Sequence, residues 1–82
     1  MNDKRFVDLR FLVMYYHKIV VDNYKDLTKE QAKKKIFNYI YTQKGTVTIN
    51  KRNINMMEVQ EMGILKVKQF INSYIDNVWY KR

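Results

Sequence analysis

The chain has 82 residues, no cysteine, 46% apolar and 15% aromatic content, and a formal net charge of +8. That length makes a single domain over residues 1–82, able to bury only about 60–65% of its unfolded surface, so its core must be dense or shared with a second copy. Without cysteine there is no disulfide, thiolate metal site or thiol nucleophile. The longest near-apolar run, Phe11–Tyr16, falls far short of the roughly 20 residues of a membrane span, and no signal-peptide core follows the first residues. A soluble, cytoplasmic protein without membrane contact is expected.

The first element runs from about Asp3 to Tyr24. Phe6, Leu9, Val13, Tyr16 and Val20 alternate spacings of three and four, which places them on one helical stripe. Leu12, Tyr15 and Ile19 widen that stripe, and Asp3 favours the helix dipole from the first turn. A polar connection follows, and Thr28 opens a second helix. Thr28 and Gln31 stand at the spacing of a capping box, with Ala32, Ile36, Tyr39 and Ile40 as the apolar stripe. Gln43-Lys44-Gly45 reads as a stop, with Gly45 supplying a left-handed residue.

Thr46-Val47-Thr48-Ile49 alternates polar and apolar β-branched residues, the pattern of a strand. Its partner is open at this level. Tyr39–Thr42 can be the first strand of a hairpin closed by Gln43-Lys44-Gly45, or the end of the second helix, which is the preferred reading. Asn50 then caps a weak helix over Lys51–Met62, and Gly63 marks a break. From Ile64 onward a strong helix follows, with Ile64, Val67, Ile71, Tyr74 and Val78 on its stripe and Phe70, Ile75 and Trp79 beside them. The fold expected is mainly α, a small bundle of three principal helices with one short strand or hairpin near residues 40–49.

The charge is concentrated. Residues 31–57 hold Lys33, Lys34, Lys35, Lys44, Lys51 and Arg52 and no acid, whereas each flank is close to neutral. Such an acid-free window marks a surface for an anionic partner, provided its cations converge in space. Tyr39, Tyr41, Asn50, Asn53 and Asn55 interleave with the cations. Lysines neutralise phosphates, asparagines read adenine edges and aromatics stack on bases. A solvated face that keeps a small protein soluble is the plainer reading.

No catalytic or metal-binding signature is present. The one histidine, His17, has Val13, Val20 and Val21 at helical spacing and no carboxylate beside it. Asp22 and Asp26 sit in the polar connection, where solvated caps are the simpler role. The tyrosines lack the Arg/His or metal cluster that a tyrosine nucleophile needs. No cofactor or metal is expected.

Residues 50–77 also resemble, generically, a helix-turn-helix. Asn50–Gly63 would be the supporting helix and turn, and Ile64–Asn77 the recognition helix, with Thr46–Ile49 resembling the short strand of winged-helix domains. That resemblance would turn Lys66, Lys68, Gln69, Asn72 and Ser73 toward a major groove.

The terminal helix carries a long aromatic stripe, Phe70, Tyr74, Trp79 and Tyr80, more than so small a domain readily covers. Aromatics at a core edge serve association, so a homodimer is expected, with these four at its interface. The function expected is a non-enzymatic, basic nucleic-acid-binding regulator or accessory protein, DNA rather than RNA. Phosphate contacts would come from Lys33, Lys34, Lys35, Lys44, Lys51 and Arg52, and base contacts from Lys66, Lys68, Gln69 and Asn72. The size and the Lys-, Asn-, Ile- and Tyr-rich, AT-biased composition fit a phage or other mobile element. The competing reading is an inhibitor or adaptor docking its basic, aromatic surface on an acidic groove of a host enzyme or defence complex.

Overall fold

A computed structural model describes residues 3–79. Helices α1 (Lys4–Asn23) and α2 (Lys29–Thr42) are followed by strands β1 (Thr46–Ile49) and β2 (Arg52–Asn55), a short helix α3 (Met56–Gln60) and the long helix α4 (Ile64–Val78). The architecture is mainly α with one two-stranded antiparallel hairpin. Helix α1 packs on α2, α3, α4 and the hairpin, and α2 packs on α4.

Each helix begins where a side chain can satisfy its free N–H groups. Asp3 accepts from the Arg5 N–H at 2.9 Å. Thr28 and Gln31 form both halves of the capping box, Gln31 N–H to Thr28 Oγ1 at 3.1 Å and Thr28 N–H to Gln31 Oε1 at 2.9 Å. The far end of α2 is closed from a distance: Gln60 Nε2 donates to the carbonyls of Ile40 and Gln43, both at 2.8 Å. Those carbonyls have no partner within the helix, so one amide ties α2 to α3.

The core takes Leu9, Leu12, Val13, Tyr16 and Val20 from α1, Ala32, Ile36 and Ile40 from α2, and Val67, Ile71 and Ile75 from α4. Ile49, Ile54, Met56, Val59 and Met62 close its floor. Three members of the expected stripes lie outside it: Phe6, Tyr15 and Ile64 are exposed. Phe6 and Ile64 stand in the first turn of their helices, and Tyr15 lies on the flank of α1 beyond the buried stripe.

Two local expectations are corrected. Residues 39–42 are the last turn of α2, so the strand partner of Thr46–Ile49 lies downstream. Thr46 pairs with Asn55, Val47 with Ile54, Thr48 with Asn53 and Ile49 with Arg52. Residues Lys51–Met62 therefore form no single helix: the first part is turn and strand, and only Met56–Gln60 is helical. Asn50, read as a cap, is instead the first residue of a two-residue turn, with φ +51° there and +67° at Lys51. Paired positive φ values are those of a type I′ turn, whose twist matches that of the strands. The cap of α3 is Asn55, which accepts from Met57 N–H at 3.0 Å.

The helix-turn-helix likeness weakens for the same reason. Glu61–Gly63 joins α3 to α4, but α3 has only five residues. The hairpin precedes this helix pair.

Candidate anion-binding face

The best-defined concave surface lies between α2 and α4. It is a groove of about 300 Å³, lined by Lys33, Lys34, Phe37 and Asn38 of α2 and by Lys68 and Asn72 of α4, with Glu30 at its rim. On α2, residues one turn apart share a face, so the start fixed by the capping box brings Lys34 and Asn38 together. The buried Val67, Ile71 and Ile75 anchor α4, which leaves Lys68 and Asn72 on its open side.

The cations of this groove differ in how they are held. Lys33 is largely covered, with 14% of its side chain exposed, and its ammonium reaches Asp76 at 2.9 Å and Glu30 at 3.2 Å. Lys29 also reaches Asp76, at 3.2 Å. The hydrogen bond from Lys33 holds the Asp76 carboxyl below the usual carboxylate range, and the same bond raises Lys33. Lys33 thus ties α2 to α4. Lys68 stands 5.1 Å over the centre of the Phe37 ring. Lys34 has no acid partner among the described residues and is exposed.

Further along α4, Lys66 and Gln69 are exposed. Lys66 adds a weak attraction to Asp3, whose carboxyl is lowered chiefly by its hydrogen bonds from Arg5. Lys44 is exposed in the turn after α2.

The six cations of the acid-free window do not converge on one patch. Lys33 and Lys34 line the α2–α4 groove. Lys35 turns onto the Tyr24 ring, 4.3 Å from its centre. Lys51 is in the hairpin turn. Arg52 donates from Nε to Asp8 at 2.7 Å and lies 5.4 Å over Phe11. Its neighbours explain this: in β2, Arg52 and Ile54 share one face, and burying Ile54 turns Arg52 inward onto α1. Lys68 takes up the position that the downstream cations leave.

The interleaved side chains are also committed. Tyr39 stacks on Tyr16 with ring centres 5.1 Å apart, and Tyr41 packs on Phe37 at 4.7 Å. Asn50 forms the turn, Asn53 accepts from Thr48 Oγ1 at 2.7 Å, and Asn55 caps α3. Asn38 and Phe37 are the groove residues that sequence reasoning passed over. The signal for both was their spacing of four from Lys34 and Lys33.

Of the expected interface residues, Phe70, Tyr74 and Trp79 are partly buried against the chain's own core. Tyr74 meets His17 edge-on at 5.8 Å. Tyr80 lies outside the described residues.

Among the described residues no three His, Cys, Asp or Glu side chains gather as a metal site requires. No helix there is long and apolar enough to cross a membrane. Compared with known families, curated proteins and solved structures, the chain matches none.

Proposed function

We propose that this is a small, non-enzymatic binding protein whose α2–α4 face takes an anionic partner, with duplex DNA as that partner. One observation carries the reading: Lys34 and Lys68 stand on the two walls of one groove, with the amides of Asn38 and Asn72 beside them. Ammonium groups neutralise phosphates, and amides hydrogen-bond to phosphate or base edges. Lys66 and Gln69 extend the polar row along α4, and Lys44 lies beyond the end of α2. Arg52 has no part in this face, since its guanidinium serves Asp8.

An electrophoretic shift with random duplex DNA, single-stranded DNA and RNA tests it. At about 50 mM salt the duplex should shift, and at about 200 mM the shift should fade. Lys34→Glu combined with Lys68→Glu should remove it while the helical circular dichroism stays unchanged. Absence of any shift at the lower salt overturns the proposal.

A second reading has one observation in its favour. Ile64 and Leu65, 56% and 70% exposed, occupy the same first turn of α4 as Lys66. Apolar side chains beside cations suit an acidic protein groove better than a phosphate backbone. Binding to an acidic protein that resists salt, without a DNA shift, is the result that selects it.

A further inference from the structure

Helix α1 has a second apolar stripe, opposite the buried one. Lys4, Val7, Phe11, Met14, Lys18 and Val21 alternate spacings of three and four along its outer side. These are the a and d positions of a helix-pairing seam. Val7 is 36% exposed and Met14 43%, while Phe11 and Val21 are half-buried. Beside the seam, between α1 and the hairpin, lies a groove of about 500 Å³ lined by Phe11, Met14, Tyr15, Ile19 and Ile49. None of this surface is used by the α2–α4 face. The aromatics of α4 pack against the chain's own core, so α1 holds the larger apolar surface left uncovered.

The charges on the seam say what covers it. Lys4 stands at one end, and Asp22, one position past Val21, at the other; both are exposed and carry no ion pair among the described residues. Two seams lying antiparallel about the point between Phe11 and Met14 would set Lys4 against Val21 and Asp22 of the other copy. The same register sets Val7 against Lys18, and Phe11 against Met14. Symmetry then makes two Lys4–Asp22 pairs at the ends and two Phe11–Met14 contacts at the centre, a sulfur–aromatic combination that packs well. A parallel arrangement would instead stack Lys4 on Lys4, Lys18 on Lys18 and Asp22 on Asp22.

We infer that the outer seam of α1 is a dimerisation surface, on which a second copy of this chain docks with its α1 antiparallel. The contact is isologous, each copy presenting the same patch. This inference does not rest on the anion-binding reading, and either can fail alone.

Sedimentation equilibrium at about 150 mM salt, where the net charge of each copy is largely screened, should give twice the chain mass of 10.1 kDa. Met14→Glu should give the single mass, with unchanged circular dichroism. Lys4→Asp alone brings two carboxylates together at each end of the seam, and Asp22→Lys alone brings two ammonium groups together there. Each should weaken self-association about tenfold or more. A mixture of these two variants pairs an all-acidic seam with an all-basic one and should recover the wild-type affinity. A single-chain mass for the wild type overturns the inference. So does a mixture no tighter than its components, or a Met14→Glu variant that still dimerises.

Discussion

Replacing Arg52 by Met tests what the inward-facing hairpin does for stability. Asp8 is 1% exposed and lies in the middle of the core stripe of α1. Its Oδ1 accepts from Arg52 Nε at 2.7 Å, and its Oδ2 has no hydrogen-bond partner among the described residues. Arg52→Met keeps the stem of the side chain but leaves a buried carboxylate without its counter-charge. Removing one partner of a buried pair costs about 3–5 kcal/mol. A third of the Arg52 side chain still meets solvent, so the low end applies, about 3 kcal/mol. For a domain of this size that lowers Tm by roughly 12–24 °C. The assay is urea unfolding followed by circular dichroism at 222 nm, with thermal melts alongside. The double variant Asp8→Leu with Arg52→Met removes both charges and should return to within about 1 kcal/mol of the wild type, since apolar pairs commonly replace buried ion pairs without loss. A cost below about 1 kcal/mol for Arg52→Met refutes the reasoning, as does a double variant no more stable than the single one.

Lys51→Gly should stabilise the fold by about 1 kcal/mol in the same unfolding assay, because Lys51 holds φ +67° at a turn position that glycine occupies without steric cost; a destabilised variant would count against the type I′ turn. Tyr16, Tyr39 and Tyr41 are all raised, chiefly by burial. A raised phenol binds its proton more tightly in the folded state, so their contribution is intact below a pH of about 10 and is lost as pH rises through the raised values. Tyrosinate absorbance should show a late step that coincides with unfolding, and Tyr16→Phe should reduce its amplitude. On the acid side, Asp3 and Asp76 are lowered by Arg5 and Lys33. Their small, solvent-screened contribution is present above a pH of about 4 and disappears as pH falls through the lowered values. Tm should therefore stay level from mildly acidic to mildly alkaline pH, and a melting point that climbs on acidification past that range would contradict the assignment.

The helices were legible because each carries a long 3.6-residue period and a local start signal. Thr28 and Gln31 are the clearest instance, since the capping box is a contact over three residues and needs no tertiary context. The hairpin was half legible. Thr46–Ile49 announced itself through β-branched alternation, whereas Arg52-Asn53-Ile54-Asn55 has two asparagines and one aliphatic residue, a poor strand by composition. Its strand state comes from burying Ile54 and from the Arg52–Asp8 bond across 44 positions of sequence, which no local window contains. The turn escaped for a related reason, because Lys51 stands where a hairpin usually places glycine.

The candidate face was visible as charge but not as geometry. Lys33, Lys34 and Lys68 were among the expected contacts, yet the acid-free window overstated their neighbours. Absence of acids within residues 31–57 says nothing of acids brought in from elsewhere, and Asp8 and Asp76 both enter from distant helices. Asn38 became part of the groove only because α2 packs against α4 at that turn.

The most direct test of the anionic partner is a fluorescence-anisotropy titration of labelled duplex DNA across salt concentrations. Lys34, Lys44, Lys66 and Lys68 carry no ion pair among the described residues, and four phosphate contacts give a log–log slope of about −3.6. Lys68→Gln should bring that slope to about −2.7, while Arg52→Met, studied below its lowered melting point, should leave it unchanged. A slope that ignores Lys68→Gln but falls with Arg52→Met, or a duplex left unbound at about 50 mM salt, would contradict the account.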